Sequence, residues 1–214
     1  MNVTVFGATG AIGQLTVAEL LNRGHRVTAY ARNPQKVPES WADDNVRVVI
    51  GEMSDAEAID SAVVGADAVV STLGPSMDRK VVGTPLVPGI GNILASMKDR
   101  GVRRFVGHAT PSILDLQESP TAVTRLTSFL ARTFLPRAYE EMTGMSDHIK
   151  ASGLDWTIIR FIRPTDRPKQ PRVRIGFFGT DRLGFPVSRA DIAAVTAAQV
   201  EDDRYVGRAP AISN

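Results

Sequence analysis

Three glycines spaced by three, Gly7, Gly10 and Gly13, follow directly on a short apolar run, Val3–Phe6, and a helix-forming stretch, Gln14 to Leu21, follows directly on them. A strand that breaks into such a triplet and re-enters as a helix must turn sharply at Gly7. It must bring backbone N–H groups close to a ligand at Gly10, and it packs the new helix tightly on the sheet at Gly13. The unpaired N–H groups of the first helical turn, together with the positive end of the helix dipole, then form a site for a diphosphate. A glycine triplet alone is a weak signal; strand, triplet and helix in immediate succession are far more specific.

The rest of the chain repeats the same grammar. Apolar runs bounded by turn residues recur at Val27–Tyr30, Val46–Ile50, Ala68–Thr72, Val102–Gly107 and Trp156–Phe161, with amphipathic segments between them. Ser54 is expected to cap one helix, Thr84-Pro85 or Pro88 to open another that Gly101 closes, and Gly24 to close the first. Ser188 is expected to cap a last helix, Ile192 to Val200. Six strands alternating with helices predict an α/β fold, a Rossmann-like doubly wound parallel sheet in a single domain over residues 1–214. Its ligand belongs at the carboxyl ends of the strands, where the strand order reverses. Two stretches break the alternation, residues 112–138 and 164–184, the second with a strand-like run at Val173 to Phe178, and both are expected to form substrate or lid segments.

Composition narrows the classes. A chain of 214 residues with 43% hydrophobic and 22% charged content suits one soluble globular domain. A net charge of +2 gives no footprint for nucleic acid. No apolar run is long enough to cross a bilayer, and the chain enters a strand at once without a leader, so a cytoplasmic protein with no membrane partner is expected. There is no cysteine, and the three histidines are scattered, so no metal site is expected. His25 and His148 are read as structural, and the oligomeric state is left open.

The second apolar run decides which coenzyme suits the crevice. An NAD site places an acidic side chain at that strand's end to accept hydrogen bonds from the ribose 2′-hydroxyl. Here the strand ends Ala29-Tyr30-Ala31-Arg32, with Lys36 one turn later, and Glu19 and Glu39 are the nearest acids. Two cations suit a 2′-phosphate, so NADP(H) is favoured over NAD(H). The alternative is that Arg32 and Lys36 are solvated loop charges.

With these features in place, the chain resembles the atypical short-chain dehydrogenase/reductases, in particular their NmrA-like and biliverdin reductase B (flavin reductase) branch. The segments that carry the resemblance are Gly7-Ala8-Thr9-Gly10-Ala11-Ile12-Gly13, Ala31 to Lys36, Gly65 to Gly74, Gly101 to Val106 and Ala151 to Ile158, spread over nearly the whole length. The resemblance implies that Thr9, Gly10, Ala11 and Ile12 cradle the pyrophosphate, and that Arg32 and Lys36 meet the 2′-phosphate. It implies that Glu52 and Met53 meet the adenine and Leu73-Gly74 the adjoining ribose, with Pro164 also on the coenzyme side. Glu52 stands where the family usually has Asp, which points to a backbone contact there.

The departures from that family bear on chemistry. Typical short-chain reductases pair a Tyr with a Lys four residues later, whose charge lowers the phenol pKa. The best frame here is Tyr139-Glu140-Glu141-Met142-Thr143, with Thr143 where Lys is expected. Other candidates are Thr110, at the end of the fifth strand where these reductases keep a Ser or Thr facing the nicotinamide, and His108, two residues earlier and so on the same face of an extended strand. Phe161 and Arg163, after the sixth strand, are candidates for the substrate wall. Arg160, Arg163, Arg167, Lys169, Arg172 and Arg174 form a basic run read either as a solvated face or as an electropositive mouth for an acidic acceptor. The aromatics Phe129, Phe134, Phe177, Phe178 and Phe185 are candidates for a small-molecule pocket, or for core.

Without a cation-assisted acid, protonating an alkoxide is difficult, whereas a planar conjugated acceptor such as a flavin, a quinone or an aromatic polyketide delocalises the incoming charge. The expectation is therefore an NADPH-dependent oxidoreductase acting on such an acceptor, including service as the reductase part of an aromatic hydroxylation system. The alternatives are a non-catalytic NADP-binding sensor and an ordinary carbonyl reductase using Tyr139.

Overall fold

The computed structural model describes residues 1–42, 46–78 and 80–214. The elements run in the order β1 (Asn2–Phe6), α1 (Ala11–Asn22), β2 (Arg26–Ala31), β3 (Val46–Ile50), α2 (Ala56–Val63), β4 (Ala68–Ser71), α3 (Leu86–Asp99) and β5 (Arg104–Ala109). They continue through α4 (Ala122–Phe134), α5 (Pro136–Lys150), β6 (Asp155–Arg160), β7 (Pro164–Thr165), β8 (Arg174–Gly176), β9 (Val187–Ser188), α6 (Arg189–Ala198) and β10 (Ala211–Ser213).

The main sheet has eight strands in the order β3-β2-β1-β4-β5-β6-β10-β8, parallel except for β8, which runs antiparallel to β10. This is the doubly wound α/β architecture expected from the sequence. The chain moves outward from β1 to β3, then returns to the other side of β1 at β4, so the strand order reverses between β1 and β4. Their register, Val3↔Ala68 through Phe6↔Ser71, brings both strands to their carboxyl ends together. The loops that leave there in opposite directions open a crevice.

Each face of the sheet is covered, which explains why its strands read as continuous apolar runs. On one face Val69, Phe105 and Ile158 pack with Ile59 of α2, Ile93 of α3 and Ile149 of α5. On the other, Val5, Val70, Val106 and Ile159 pack with Val17 and Leu20 of α1 and Ile192 of α6.

Several boundaries move for identifiable reasons. The cap of α2 is Asp55, not Ser54: Asp55 Oδ1 accepts the Ala58 N–H at 2.9 Å. Helix α3 starts at Leu86, whose N–H is met by Glu141 Oε1 from α5 at 2.9 Å, so its cap comes from a distant helix rather than from a local hydroxyl. The fifth strand begins at Arg104 rather than Val102, because the Val102 N–H closes the end of α3 on Met97 O at 2.8 Å. The last helix begins at Arg189, capped by Ser188 as expected. Beyond the six expected sheet strands, β8 falls within the strand-like run expected at Val173 to Phe178 and extends the sheet with β10, and β7 pairs with β9.

Candidate coenzyme and reaction site

The glycine turn has the geometry its sequence demands. Gly7 has φ +78°, a conformation that costs other residues dearly, and a Cβ there would meet Thr72 Oγ1 at 2.8 Å. At Gly13 a Cβ would lie 2.1 Å from Gly7 O and 2.8 Å from Ala8 O, so the first turn of α1 touches the backbone of the loop that precedes it. Gly10 is the N-cap of α1 and offers no side-chain cap, which leaves the N–H groups of Ala11, Ile12 and Gly13 without a partner inside the helix. Thr9 is half-buried beside them. Close backbone approach, no Cβ in the way and an uncapped helix amino terminus together fit a diphosphate.

Thr72, which follows β4, fixes this turn from across the crevice. Its N–H donates to Phe6 O at 2.9 Å, and its hydroxyl lies 3.1 Å from both Phe6 O and Gly7 O. Leu73 then packs on the core and Gly74 is exposed at the rim. The sequence reading singled out Leu73 and Gly74 but gave Thr72 no role; its position opposite the glycine turn becomes visible only once β4 is seen to lie next to β1.

The end of β2 carries Arg32, exposed, and a single 3-10 turn over Pro34–Lys36 follows, capped by Asn33 Oδ1 on the Gln35 N–H at 2.9 Å. Lys36, also exposed, closes that turn. After β3, the backbone at Glu52-Met53 is pinned from two sides. Tyr30 Oη donates to Glu52 O at 2.8 Å, and Asn92 Nδ2 of α3 donates to Met53 O at 3.1 Å. Burial, helped by Asp55 and Glu52 nearby, pushes the Tyr30 phenol up to about 12, so it acts only as a donor. The Glu52 side chain is exposed.

At the carboxyl end of β5 the candidates separate. Thr110 is exposed, with its Oγ1 2.6 Å from Ser112 Oγ, so two hydroxyls stand together where the chain leaves the strand. His108 does not join them. It points to the α6 face, where its Nε2 lies 2.8 Å from Thr196 Oγ1 and its ring meets Phe161 edge-on, with centroids 5.2 Å apart. Because the Thr196 hydroxyl donates to Ile192 O at 2.7 Å, His108 Nε2 is the donor in that pair, which assigns its tautomer. Burial drives its pKa down to about 4, so it is neutral. The expected common face fails because β5 stops at Ala109: Ile113 N–H bonds to Thr110 O at 3.0 Å, and the turn swings Thr110 out of the alternation.

Tyr139 sits on α5 beneath Arg132 of α4, whose guanidinium lies 5.9 Å from the ring centroid. Both line a groove of about 470 Å³ with Glu140, Thr143 and Asp147. Thr143, one turn on, spends its hydroxyl on Tyr139 O at 2.9 Å.

The segments expected to carry substrate contacts are rebuilt by two ion pairs that the sequence reading missed. Arg160 is fully buried and holds Glu118 through both oxygens at 2.6 and 2.7 Å, while its Nη1 also donates to Ile113 O at 2.9 Å. Glu118 in turn accepts the Phe178 N–H at 2.6 Å, and the Phe178 ring lies 5.7 Å from the Arg160 guanidinium. Beside them, buried Asp115 accepts from Arg208 and from the Ala209 N–H at 2.6 Å. These hydrogen bonds hold the Asp115 carboxyl below its usual range against the opposing effect of burial.

This network bears on two readings. Arg160 does not belong to the exposed basic run and Lys169 is taken up by Glu19 at 2.6 Å, while Arg163, Arg167, Arg172 and Arg174 stay exposed. The loop aromatics do not converge on one pocket: Phe177 stacks 4.1 Å from Arg208, Phe178 covers Arg160, and Phe129 and Phe134 lie on α4. Phe161 is half-buried against His108. Arg163, exposed with φ +52°, precedes Pro164, where β7 pairs with Val187 of β9.

A family profile described as NAD(P)H-binding matches residues 7–203. Among curated proteins, a 3-beta-hydroxysteroid dehydrogenase of Mycolicibacterium neoaurum is 30% identical over 122 residues, 52% of this chain and 32% of that protein. A 2-alkyl-3-oxoalkanoate reductase of Stenotrophomonas maltophilia is 29% identical over 116 residues, 53% of this chain and 34% of that protein. The chain thus spans about a third of the length of these two relatives. Of solved structures, a short-chain dehydrogenase/reductase from Veillonella parvula in complex with NADP superposes with TM-score 0.80 at 18% identity, over 100% of this chain and 94% of the other. An anaerobillin reductase from Escherichia coli O157:H7 superposes with TM-score 0.79 at 20% identity, over 99% and 96%.

Proposed function

We propose that this chain, which belongs to the NAD(P)H-binding family, is an oxidoreductase that takes up NADPH and passes hydride to a planar conjugated acceptor, such as a flavin, a quinone or an aromatic polyketide. The observation that carries the reading is the glycine turn at the uncapped amino terminus of α1, at the point where the strand order reverses. Thr9, Gly10, Ala11 and Ile12 would hold the diphosphate. Arg32 and Lys36 would hold the 2′-phosphate, and their cationic pair favours NADP(H) over NAD(H). The pinned backbone of Glu52-Met53 would meet the adenine, Leu73-Gly74 the adjoining ribose, and Pro164 the nicotinamide end.

Bound coenzyme supplies the hydride; the chain supplies position and hydrogen bonds. Thr110, exposed, and half-buried Ser112 offer a pair of hydroxyls at the end of β5. His108 is held neutral behind the sheet and Tyr139 is followed by Thr143, so the acid help available from these residues is slight. An acceptor that spreads the arriving charge over a ring needs little such help, and stacking it in ideal alignment at reactive distance can itself lower the barrier by about 7–11 kcal/mol. The same chemistry suits the reductase part of an aromatic hydroxylating pair. Relatives named as a dehydrogenase and as a reductase support catalysis over a sensing role.

The test is to follow the loss of reduced-nicotinamide absorbance with the purified chain, NADPH and a panel of flavins, quinones and simple ketones. Oxidation with the conjugated acceptors and little with the ketones is expected. Turnover of ketones alone would restore the carbonyl-reductase reading, and no turnover with tight NADPH binding would favour a sensor.

A further inference from the structure

Helix α4 is built inside out. Its inward side carries Thr124, Thr127, Ser128 and Ala131, with the Thr124 hydroxyl closing the capping box on the Thr121 N–H at 2.8 Å and Ser128 Oγ reaching Ser112 O at 3.4 Å. Its outward side carries Leu126, Phe129, Leu130 and Phe134, which are 57%, 62%, 42% and 72% exposed. A surface helix ordinarily does the reverse, and four large apolar side chains on a few consecutive turns are more than scattered surface hydrophobics.

Along α4 itself the charge has one sign, while Arg132 also shares a groove with Glu140 and Asp147 of α5. Between Glu118 and Glu140 there is no carboxylate, and the ionised residues are Arg125, Arg132 and Arg137. Arg137 is taken up by Glu141 at 3.2 Å. Arg125 and Arg132 are exposed, lie two helical turns apart, and so border the apolar arc along the same edge.

We propose that this face of α4 lies on an anionic lipid surface, its Leu and Phe side chains entering the boundary between headgroups and acyl chains and its two guanidinium groups meeting lipid phosphates. An amphipathic helix with apolar residues on one side and arginines at the border has the composition such a surface selects. A second copy of the chain fits less well. In an antiparallel two-fold contact the arginine edge of α4 meets the arginine edge of its mate, in a parallel one it meets Val123 and Phe134, and in neither does α4 provide a carboxylate. The assignment departs from the sequence expectation of no membrane partner, because an interfacial helix needs no long apolar run and is not detected by a search for spanning segments.

The experiment is co-sedimentation of the full chain with phosphatidylcholine vesicles and with phosphatidylcholine–phosphatidylglycerol vesicles, alongside sedimentation velocity without lipid. Binding to the mixed vesicles, weak binding to pure phosphatidylcholine, and a monomer in solution are expected. Arg125→Gln with Arg132→Gln should weaken binding to mixed vesicles roughly thirtyfold. Phe129→Glu should abolish it with an unchanged thermal midpoint, since that side chain is exposed. Equal binding to both vesicle types, no binding to either, binding that survives Phe129→Glu, or a dimer that Phe129→Glu dissolves would each overturn the proposal; the last would assign the face to a second copy.

Discussion

Replacing Gly13 by alanine sets two effects of known size against each other. Inside a helix, alanine is favoured over glycine by about 1 kcal/mol. At Gly13 the added methyl would lie 2.1 Å from Gly7 O and 2.8 Å from Ala8 O, well over an ångström short of ordinary contact with the first of these. Both obstacles are backbone atoms and cannot swing aside. Gly7 O also accepts the Gly10 N–H at 3.0 Å and lies 3.1 Å from the Thr72 hydroxyl, so displacing it strains two hydrogen bonds worth about 1 kcal/mol each. Overpacking adds about 1–3 kcal/mol. The clash outweighs the propensity gain, and the net loss is about 2–4 kcal/mol. For a chain of this size each kcal/mol lowers the thermal midpoint by about 2–4 °C, so a fall of roughly 4–16 °C is expected from thermal unfolding, together with weakened NADPH binding from a fluorescence titration. Gly91→Ala is the control: its Cβ meets nothing within 4 Å in the interior of α3, and it should stabilise by about 0.5–1 kcal/mol. A Gly13→Ala chain with the parent's midpoint and NADPH affinity would refute the reasoning about close backbone approach.

Two further outcomes follow from the site. His108 is neutral when folded with a pKa near 4, below its unfolded value, so its contribution to stability is present above about pH 6.5 and lost as pH falls toward 4, by roughly 3 kcal/mol in all. Urea unfolding across that range should show the slope in the parent and a flatter one in His108→Gln; identical profiles would mean the imidazole is not buried as described. Tyr139→Phe should keep most of the NADPH-oxidising activity while Thr110→Ala lowers it severalfold, and an inactive Tyr139→Phe chain would assign the acid to that phenol.

What could be read from the residues alone was local. The glycine turn, the cap at Ser188 and the strands through Val5, Ala29, Val48, Val70 and Ile158 follow from neighbours a few positions apart, where φ, side-chain alternation and capping act. The two buried ion pairs did not, since Arg160 and Glu118 stand 42 positions apart and Arg208 and Asp115 93 apart, and only the fold brings each pair together. A run of basic residues therefore looked like one surface when one member was the largest fully buried side chain among the described residues. His108 and Thr110 were placed on one face by an alternation that holds only while a strand lasts. The inverted α4 was hidden for the opposite reason: its pattern is plainly amphipathic, but sequence does not say which side faces in.

The measurement that bears most directly on the central claim is calorimetric titration of the chain with NADPH and NADH, repeated on Arg32→Glu. NADPH should bind more tightly than NADH, and Arg32→Glu should cost NADPH roughly 10- to 100-fold through the lost charge-assisted hydrogen bonds while leaving NADH little changed. Equal losses for both coenzymes would contradict the role given to Arg32, and no heat of binding with either would remove the coenzyme from the glycine turn altogether.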